Sequence, residues 1–440
     1  MRLLIIAPYY YPYINPRAFR WTAIAEHWAE AGIEVHVVCS KREDWPDYSR
    51  HKGVHLHRVG YNSLKEIFYN YFRPSYRRGE APRKEKPGLP KPGRLNRLLL
   101  WLNAKLWKPF YWPDDASIWI GPARRKCLEL AGKQRFDGII SVSLPFSAHL
   151  VGLGLHKKYP QLPWIQDIGD PFSLQTLHPL NNSRLYAQKN RRWERFLLRK
   201  ADRIAITNAG LKKAYVQLDP ELANRLSIIP PISSIEPDKA SSRPSPDRLI
   251  HLGYFGSFFK GIREPGPVLN YFDQLIEEYP DLSNRLRLHF FGDIFENFLP
   301  VFRQYPMLEK VVQRHGLLDR EQVFYWINQM DMLFNIGNKS SFQLPSKSAD
   351  YLASGKPIIN FWQIEADTAR VFFEGYPYFL HTPLNGNAQD RAAVRAFIKT
   401  QAGKQIRAEW LEKRTEALRP QQIADRYLQL FRTKEKVSAQ

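Results

Sequence analysis

This sequence of 440 residues predicts an α/β chain of two domains, each a parallel sheet wound with helices on both faces. Three observations carry that prediction. Short apolar runs alternate with helical patterns from the first residue onward, as in βαβ units. The alternation stops at a polar segment rich in Pro, 233–248, and then starts afresh. An apolar share of 44% with 25% charged residues belongs to a globular chain long enough for two or three domains.

The elements follow in order. In a first domain, 1–232, a buried strand is expected over 2–8. A helix follows over 18–31, with Trp21, Ile24, Ala25 and Trp28 at helical spacing and Gly32 as its stop. Further strands are expected over 35–40, 54–59, 138–143, 163–168, 203–208 and 226–229. The stretch 233–248 is a linker. A second domain, 249–407, places strands over 249–255, 286–292, 332–336 and 357–361 with helices between them. The end of the chain, 408–440, is helical in pattern from 408 to 431. There Pro420 separates two helices, which are expected to return toward the first domain. Two such domains facing each other put a ligand cleft at the carboxyl ends of their strands.

One stretch, 73–112, interrupts the first domain. Its first part, 73–93, holds five prolines (Pro74, Pro82, Pro87, Pro90 and Pro92) among many Lys and Arg, so it reads as a flexible insertion. Over 94–112, Leu95, Leu98, Leu99, Leu102 and Leu106 fall on one helical face. Arg94, Arg97, Lys105 and Lys108 lie around the other, with Trp101 and Trp107 on the flanks. Leu on one side, basic residues opposite and interfacial Trp suit an anionic membrane surface. The same pattern also serves a helix packed on its own domain. The formal net charge of +22 calls for a polyanionic partner, but no nucleic-acid-binding motif accompanies it. Cys39 and Cys127 make neither a disulfide framework nor a zinc spacing. The start has too short an apolar run for a secretory signal, and no segment reaches the ~20 apolar residues that span a bilayer. A cytoplasmic location is expected, peripheral on the inner membrane face.

The most informative segment is 344–359, Leu-Pro-Ser-Lys-Ser-Ala-Asp-Tyr-Leu-Ala-Ser-Gly-Lys-Pro-Ile-Ile. A Pro-Ser turn opens a short helix, Gly355 closes it, and an apolar strand follows. Lys347 and Asp350, three apart, are expected to share the exposed face of its first turns. A cation beside free N–H groups at a helix start attracts phosphate. With a carboxylate for a ribose hydroxyl, it makes a nucleotide-sugar site. The other reading is an ordinary strand–helix–strand unit with a Gly cap.

Taken with three further places, this segment resembles the GT-B glycosyltransferases, specifically the retaining family-four-like group with a Pro-Ser-Lys donor site. Those places are Pro8–Pro12 with Asn15–Trp21, Asp167-Ile168-Gly169-Asp170-Pro171-Phe172, and Tyr254-Phe255-Gly256-Ser257 with Lys260, Gly261 and Arg263. The resemblance implies two Rossmann-like domains facing across a cleft, a nucleotide-diphosphate sugar as donor, and retention of anomeric configuration. The donor phosphate itself would help to deprotonate the acceptor. It also implies a donor site of Gly256, Ser257, Lys260, Arg263, Ser346, Lys347 and Asp350, with His315 and Gly316 near the nucleobase. Asp350 stands where the family has its ribose-binding glutamate. Phe342 stands eight residues earlier, where many members have a glutamate that contacts the sugar. The sugar is then held by backbone around 340–343, or catalysis has been lost.

Physically, a departing diphosphate gains charge, and fixed cations and helix N–H groups aimed at it supply stabilisation. Lys260, Arg263 and Lys347 are the candidates. No Asp-x-Asp motif occurs, so no metal is indicated, and basic side chains do that work; no cofactor is expected. On the acceptor side, Asp167 and Asp170 end a strand, where they can bind acceptor hydroxyls or act as base. Asp170 also suits capping of the following turn. Ser143 lies near the place of a family histidine. His149 is either a nearby catalytic candidate or a packed helix histidine. Arg17 and Arg20 either meet an acceptor phosphate or pair with nearby acids. The expected acceptor is a lipid-linked or surface-polysaccharide precursor. A non-catalytic glycan-binding partner protein of the same fold is the alternative.

Overall fold

The structure is a computed structural model that describes residues 1–42, 45–61, 101–102, 105, 107–235, 249–292, 294 and 298–432. The basic insertion over 73–93, and Leu95, Leu98, Leu99 and Leu106 of the expected amphipathic helix, lie outside the described residues. So does most of the linker.

The chain forms two compact units. The first takes the described residues up to Pro230 and again from Pro420; the second runs Pro231–Arg419. The strands of the first unit are β1 (Arg2–Ile6), β2 (Glu34–Cys39), β3 (Tyr48–His51), β4 (Val54–Arg58), β5 (Gly138–Ser143), β6 (Trp164–Ile168), β7 (Arg203–Ile206) and β8 (Leu226–Ile228). They pair in the order β3-β4-β2-β1-β5-β6-β7-β8. All pairs are parallel but the β3–β4 hairpin. Leu3 to Ile6 and Ile139 to Ile140 are fully buried, which is why their runs are continuously apolar: helices cover both faces. Those helices include α1 (Pro16–Glu30), α2 (Ile120–Lys133), α3 (Ser147–Lys158), α4 (Ser183–Lys200) and α5 (Ala209–Leu218). Strand order reverses between β1 and β5, the point at which an open α/β sheet forms a crevice.

The second unit is an all-parallel sheet, β11-β10-β9-β12-β13-β14. Its strands are β9 (Ile250–Phe255), β10 (Leu286–Phe291), β11 (Val312–Gly316), β12 (Met332–Ile336), β13 (Ile358–Trp362) and β14 (Phe379–Pro383). Helices α6 (Pro265–Glu278), α7 (Arg320–Gln329), α8 (Lys347–Ser354), α9 (Ala388–Gln401) and α10 (Ala408–Thr415) belong to it. Its core is aromatic: Tyr254, Phe258, Phe272, Phe290, Phe334 and Phe361 are all fully buried and mostly meet edge-on or tilted. Each such side chain contributes about 1.5–3 kcal/mol of transfer free energy.

Every strand expected from the sequence is present, with ends moved by at most two residues. Three others, β3, β11 and β14, were not expected. All three are sheet edges, where one side needs no apolar cover and Pro383 is tolerated. The last helix, α11 (Pro420–Arg432), belongs to the first unit. Its Tyr427 packs on Trp21 and Trp28 of α1, and Trp28 Nε1 donates to the Ala424 carbonyl at 3.3 Å.

Candidate active site

In the second unit, the donor-site candidates gather around the turns after β9 and β10. Gly256 has φ +152° and Gly292 φ +131°. A Cβ on Gly292 would fall 2.6 Å from the Gly256 carbonyl oxygen, so these two turns pack backbone to backbone. The hydroxyl of Tyr351 accepts from Phe255 N–H at 2.9 Å and donates to the Phe334 carbonyl at 3.2 Å. That pins α8 across β9 and β12. One turn earlier, the Lys347 ammonium lies 3.6 Å from the centroid of the Tyr254 ring and 5.5 Å from that of Tyr351. It would sit 3.6 Å from a Cβ on Gly256.

Lys347 Nζ is buried with no hydrogen-bond partner, and so are Arg263 Nε and the Tyr254 hydroxyl. Burial, reinforced by the nearby Arg263 cation, holds the Lys347 pKa well below the usual lysine range. Cation–π contact recovers part of the desolvation cost, but an unpaired buried cation remains costly until an anion arrives. The other Arg263 nitrogen, Nη2, donates to the Ser257 carbonyl at 3.3 Å. Lys260 is exposed in the turn closed by Phe259 and Arg263. Ser346 stands at the N-cap of α8 without capping it through its side chain.

Asp350 corrects one expectation. It shares no exposed face with Lys347: it is 4% exposed. Its Oδ2 accepts from Arg320 Nη1 at 2.7 Å, and its Oδ1 from Arg320 Nη2 at 2.8 Å and Ser233 Oγ at 3.0 Å. Residues 348 to 354 of this short helix are all buried, so the carboxylate has no exposed face to take and is matched by a bidentate guanidinium. His315 Nε2 lies 2.9 Å from His289 Nδ1, and its ring stacks on Phe291 at 4.3 Å with Trp326 at 4.7 Å. Burial lowers the His315 pKa, so this aromatic shelf is neutral. Gly316 accepts from Gly292 N–H at 2.8 Å.

In the first unit, the acceptor-side candidates divide. Asp167 is not a free base. Its Oδ2 accepts from Arg17 and from Trp21 Nε1 at 2.7 Å, its Oδ1 from the Tyr427 hydroxyl at 2.6 Å, and it is buried. Arg17 therefore takes the ion-pair reading. Arg20 is buried too and donates to the Pro230 carbonyl at 2.6 Å and the Ile229 carbonyl at 3.3 Å. It therefore ties α1 to the chain after β8 and does not face an acceptor phosphate. Ser143, His149 and Asp170 remain together, lining one small hollow with Phe146, Phe172 and Glu194. His149 Nδ1 lies 2.7 Å from Ser141 Oγ, and burial pushes its pKa down to about 3. It is a packed, neutral histidine whose Nε2, like Ser143 Oγ, has no partner.

Two residues that the sequence did not single out hold this hollow. Glu194 accepts from Phe172 N at 2.7 Å, Ser173 N at 2.8 Å and the Tyr215 hydroxyl at 2.8 Å. That fixes the loop bearing Asp170. Asp114 accepts from Ser147 N at 3.0 Å and Ser147 Oγ at 2.6 Å, fixing the start of α3. Neither belongs to a recognisable spacing pattern, since their partners lie 21 to 33 residues away.

The sequence profile of the glycosyl transferase 4-like domain matches residues 18–231, which cover most of the first unit. No curated protein sequence matches the chain. Solved structures do. Sucrose-phosphate synthase from Thermosynechococcus elongatus aligns at TM-score 0.64 and 14% identity, over 99% of each chain. The lipopolysaccharide outer core galactosyltransferase WaaB, in its apo form, aligns at TM-score 0.58 and 12% identity, over 99% of this chain and 100% of that one. A trehalose-6-phosphate protein from E. coli bound with UDP-2-fluoro glucose aligns at TM-score 0.59 and 11% identity, over 98% and 96%. Residues 18–231 thus form a glycosyl transferase 4-like domain, and the two parallel-sheet units have the fold of the GT-B glycosyltransferases.

Proposed function

We propose that this glycosyltransferase moves a sugar from a nucleotide-diphosphate donor to a lipid-linked or surface-polysaccharide precursor at the cytoplasmic membrane face. Anomeric configuration is retained, and no metal sits at the donor site. The observation that carries the donor half is Lys347. A buried ammonium with no protein acceptor beside two close-packed glycine turns is what a diphosphate completes, and Arg263 adds a second cation there. The neutral shelf of Phe291, His315 and Trp326 suits a stacked nucleobase. Lys260, exposed in its turn, reaches the same phosphates. Asp350, already oriented by Arg320, keeps lone pairs for a ribose hydroxyl. A structural neighbour holding UDP-2-fluoro glucose and another acting on lipopolysaccharide outer core support this donor and acceptor class. Asp170 is the group we assign to the acceptor hydroxyl.

The membrane half rests on the net charge of +22 and on exposed apolar residues of the first unit. Trp101 is 54% and Phe110 62% exposed, with Leu177 and Leu185 also exposed. The Tyr186 hydroxyl donates to the Phe110 carbonyl and that of Tyr111 to the Leu180 carbonyl, so 110–111 and 180–186 form one surface. No helix among the described residues is long and apolar enough to cross a membrane. Removing 73–100 is expected to release the protein from anionic vesicles in sedimentation; unchanged binding would overturn this half.

The donor assignment is tested by melting the protein with UDP-, GDP-, dTDP- and CMP-sugars. One nucleotide series is expected to raise the melting temperature by linkage, and Lys347→Ala to remove the rise. Phe342, in place of a sugar-binding glutamate, favours a second reading, a non-catalytic partner protein. Stabilisation by a nucleotide sugar without turnover on any lipid-linked acceptor would establish that reading.

A further inference from the structure

The geometry points to a divalent metal site of the zinc type on the first unit, built from Glu34, His36 and His55. It lies at the opposite end of the sheet from the candidate active site. Glu34 opens β2 and His55 is the second residue of β4, whereas Ser143 ends β5 and Asp170 follows β6. The strands are parallel, so the two groups occupy opposite ends.

The arrangement follows from register. His36 pairs with His55 across β2 and β4, so both imidazoles leave the same face side by side, and Glu34, two residues before His36, shares that face. One ligand atom from each of the three lies within 4.8 Å of the others. His36 is buried; Glu34 and His55 are half-buried, which leaves a path from solvent.

Each ligand is also held at its other atom. Glu34 Oε2 accepts from Arg2 Nη2 at 2.6 Å, leaving Oε1, which lies 2.8 Å from His36 Nε2. His36 Nδ1 lies 3.0 Å from His57 Nε2, and His55 Nδ1 lies 2.8 Å from the Tyr48 hydroxyl. Such outer partners fix the tautomer and orientation of metal-binding groups. Glu34 Oε1 and His36 Nε2, which now bond to each other, and His55 Nε2 would take the ion, the proton between the first two passing to solvent as it binds. The Gln134 amide lies 3.2 Å from His36 Nε2. Two imidazoles and a carboxylate with an open fourth position are a zinc donor set. The rings of His36 and His55 are stacked at 4.5 Å and 7°. A metal lies in the plane of each imidazole that binds it, so loading turns one ring, and half-exposed His55 has the room.

The second unit supplies a contrast. His251, His289 and His315 form a similar ladder with ring nitrogens 2.8 and 2.9 Å apart, yet they do not converge as a three-ligand group. Among the described residues only the Glu34 group brings three such ligands together. The site uses nothing from the donor assignment, so the two fail separately.

The test is titration of tag-free protein with Zn²⁺ alone, followed by calorimetry and melting, and with Co²⁺ followed by its visible spectrum. The expected result is one Zn²⁺ per chain with a raised melting temperature, unchanged in Lys347→Ala. His55→Ala and Glu34→Gln should each weaken binding at least about tenfold, and Tyr48→Phe by up to about tenfold through the lost outer contact. Should His55→Ala fold poorly, His55→Gln with a weakened Co²⁺ spectrum gives the same answer. Saturation at no defined stoichiometry, or one-ion binding that survives the double variant Glu34→Gln/His55→Gln, would overturn the proposal.

Discussion

Asp167 and Lys347 are both buried charges near the carboxyl ends of a parallel sheet, one in each unit, and their surroundings treat them in opposite ways. Asp167 meets a guanidinium, an indole N–H and a phenol before any ligand arrives. Lys347 meets two aromatic faces and no acceptor. A buried charge with a full set of partners is part of the architecture; one without is destabilising unless a ligand completes it. The difference separates a carboxylate that holds the first unit together from a cation that the proposed function completes with a substrate anion, although both occupy motif positions.

That contrast can be broken by mutation. Asp167→Ala leaves Arg17 and Trp21 without their acceptor and is expected to cost about 3–5 kcal/mol, read by denaturant unfolding; a loss below about 1 kcal/mol would remove its architectural role. Lys347→Ala should lower transfer by about 10²–10³-fold. Lys347→Met should go further and raise the melting temperature of the ligand-free protein, because an unpaired charge has been taken out of the core. A lower melting temperature in that variant would mean that Lys347 has a structural partner after all. Diphosphate binding should also be accompanied by proton uptake. The ligand raises a lysine pKa that burial has lowered, and calorimetry in buffers of different ionisation enthalpy measures the uptake.

Asp350 sits between these extremes, buried yet paired with a half-exposed Arg320. Asp350→Asn is expected to cost about 2 kcal/mol and to weaken nucleotide binding; stability unchanged with binding lost would make it a ligand group alone. A pH-dependent effect belongs to Asp114, whose pKa burial raises to about 7. A carboxyl raised above its unfolded value stabilises the fold at low pH and loses that contribution as pH rises through about 7. Stability should therefore fall between about pH 4, where the unfolded carboxyl ionises, and about pH 7, where the folded one does, and Asp114→Asn should flatten the slope.

Much of this was legible in the sequence because buried parallel strands are written as unbroken apolar runs. β5 and β12 were read to the residue, whereas the edge strands β3, β11 and β14 carry polar side chains and were not. Lys347 was legible as a candidate site residue through its motif, but its burial was not, since that depends on Tyr254 and Tyr351 closing around it. Asp167 was read as a group for acceptor hydroxyls or a base, and the partners that hold it were not legible, because its phenol partner, Tyr427, lies 260 residues away. Local pattern reports which residues a strand end carries; it cannot report which distant side chain has already claimed them.

The placement of α11 has a practical consequence. The polypeptide passes from the first unit to the second at Pro230–Pro231 and comes back at Arg419–Pro420, so the first unit is assembled from two separated lengths of chain. A fragment ending at Pro230 would lack Tyr427 and leave Trp21, Trp28 and Asp167 uncovered. A chimera that exchanges the second unit should therefore replace 231–419 as an internal cassette and keep the closing helix native to the unit it completes.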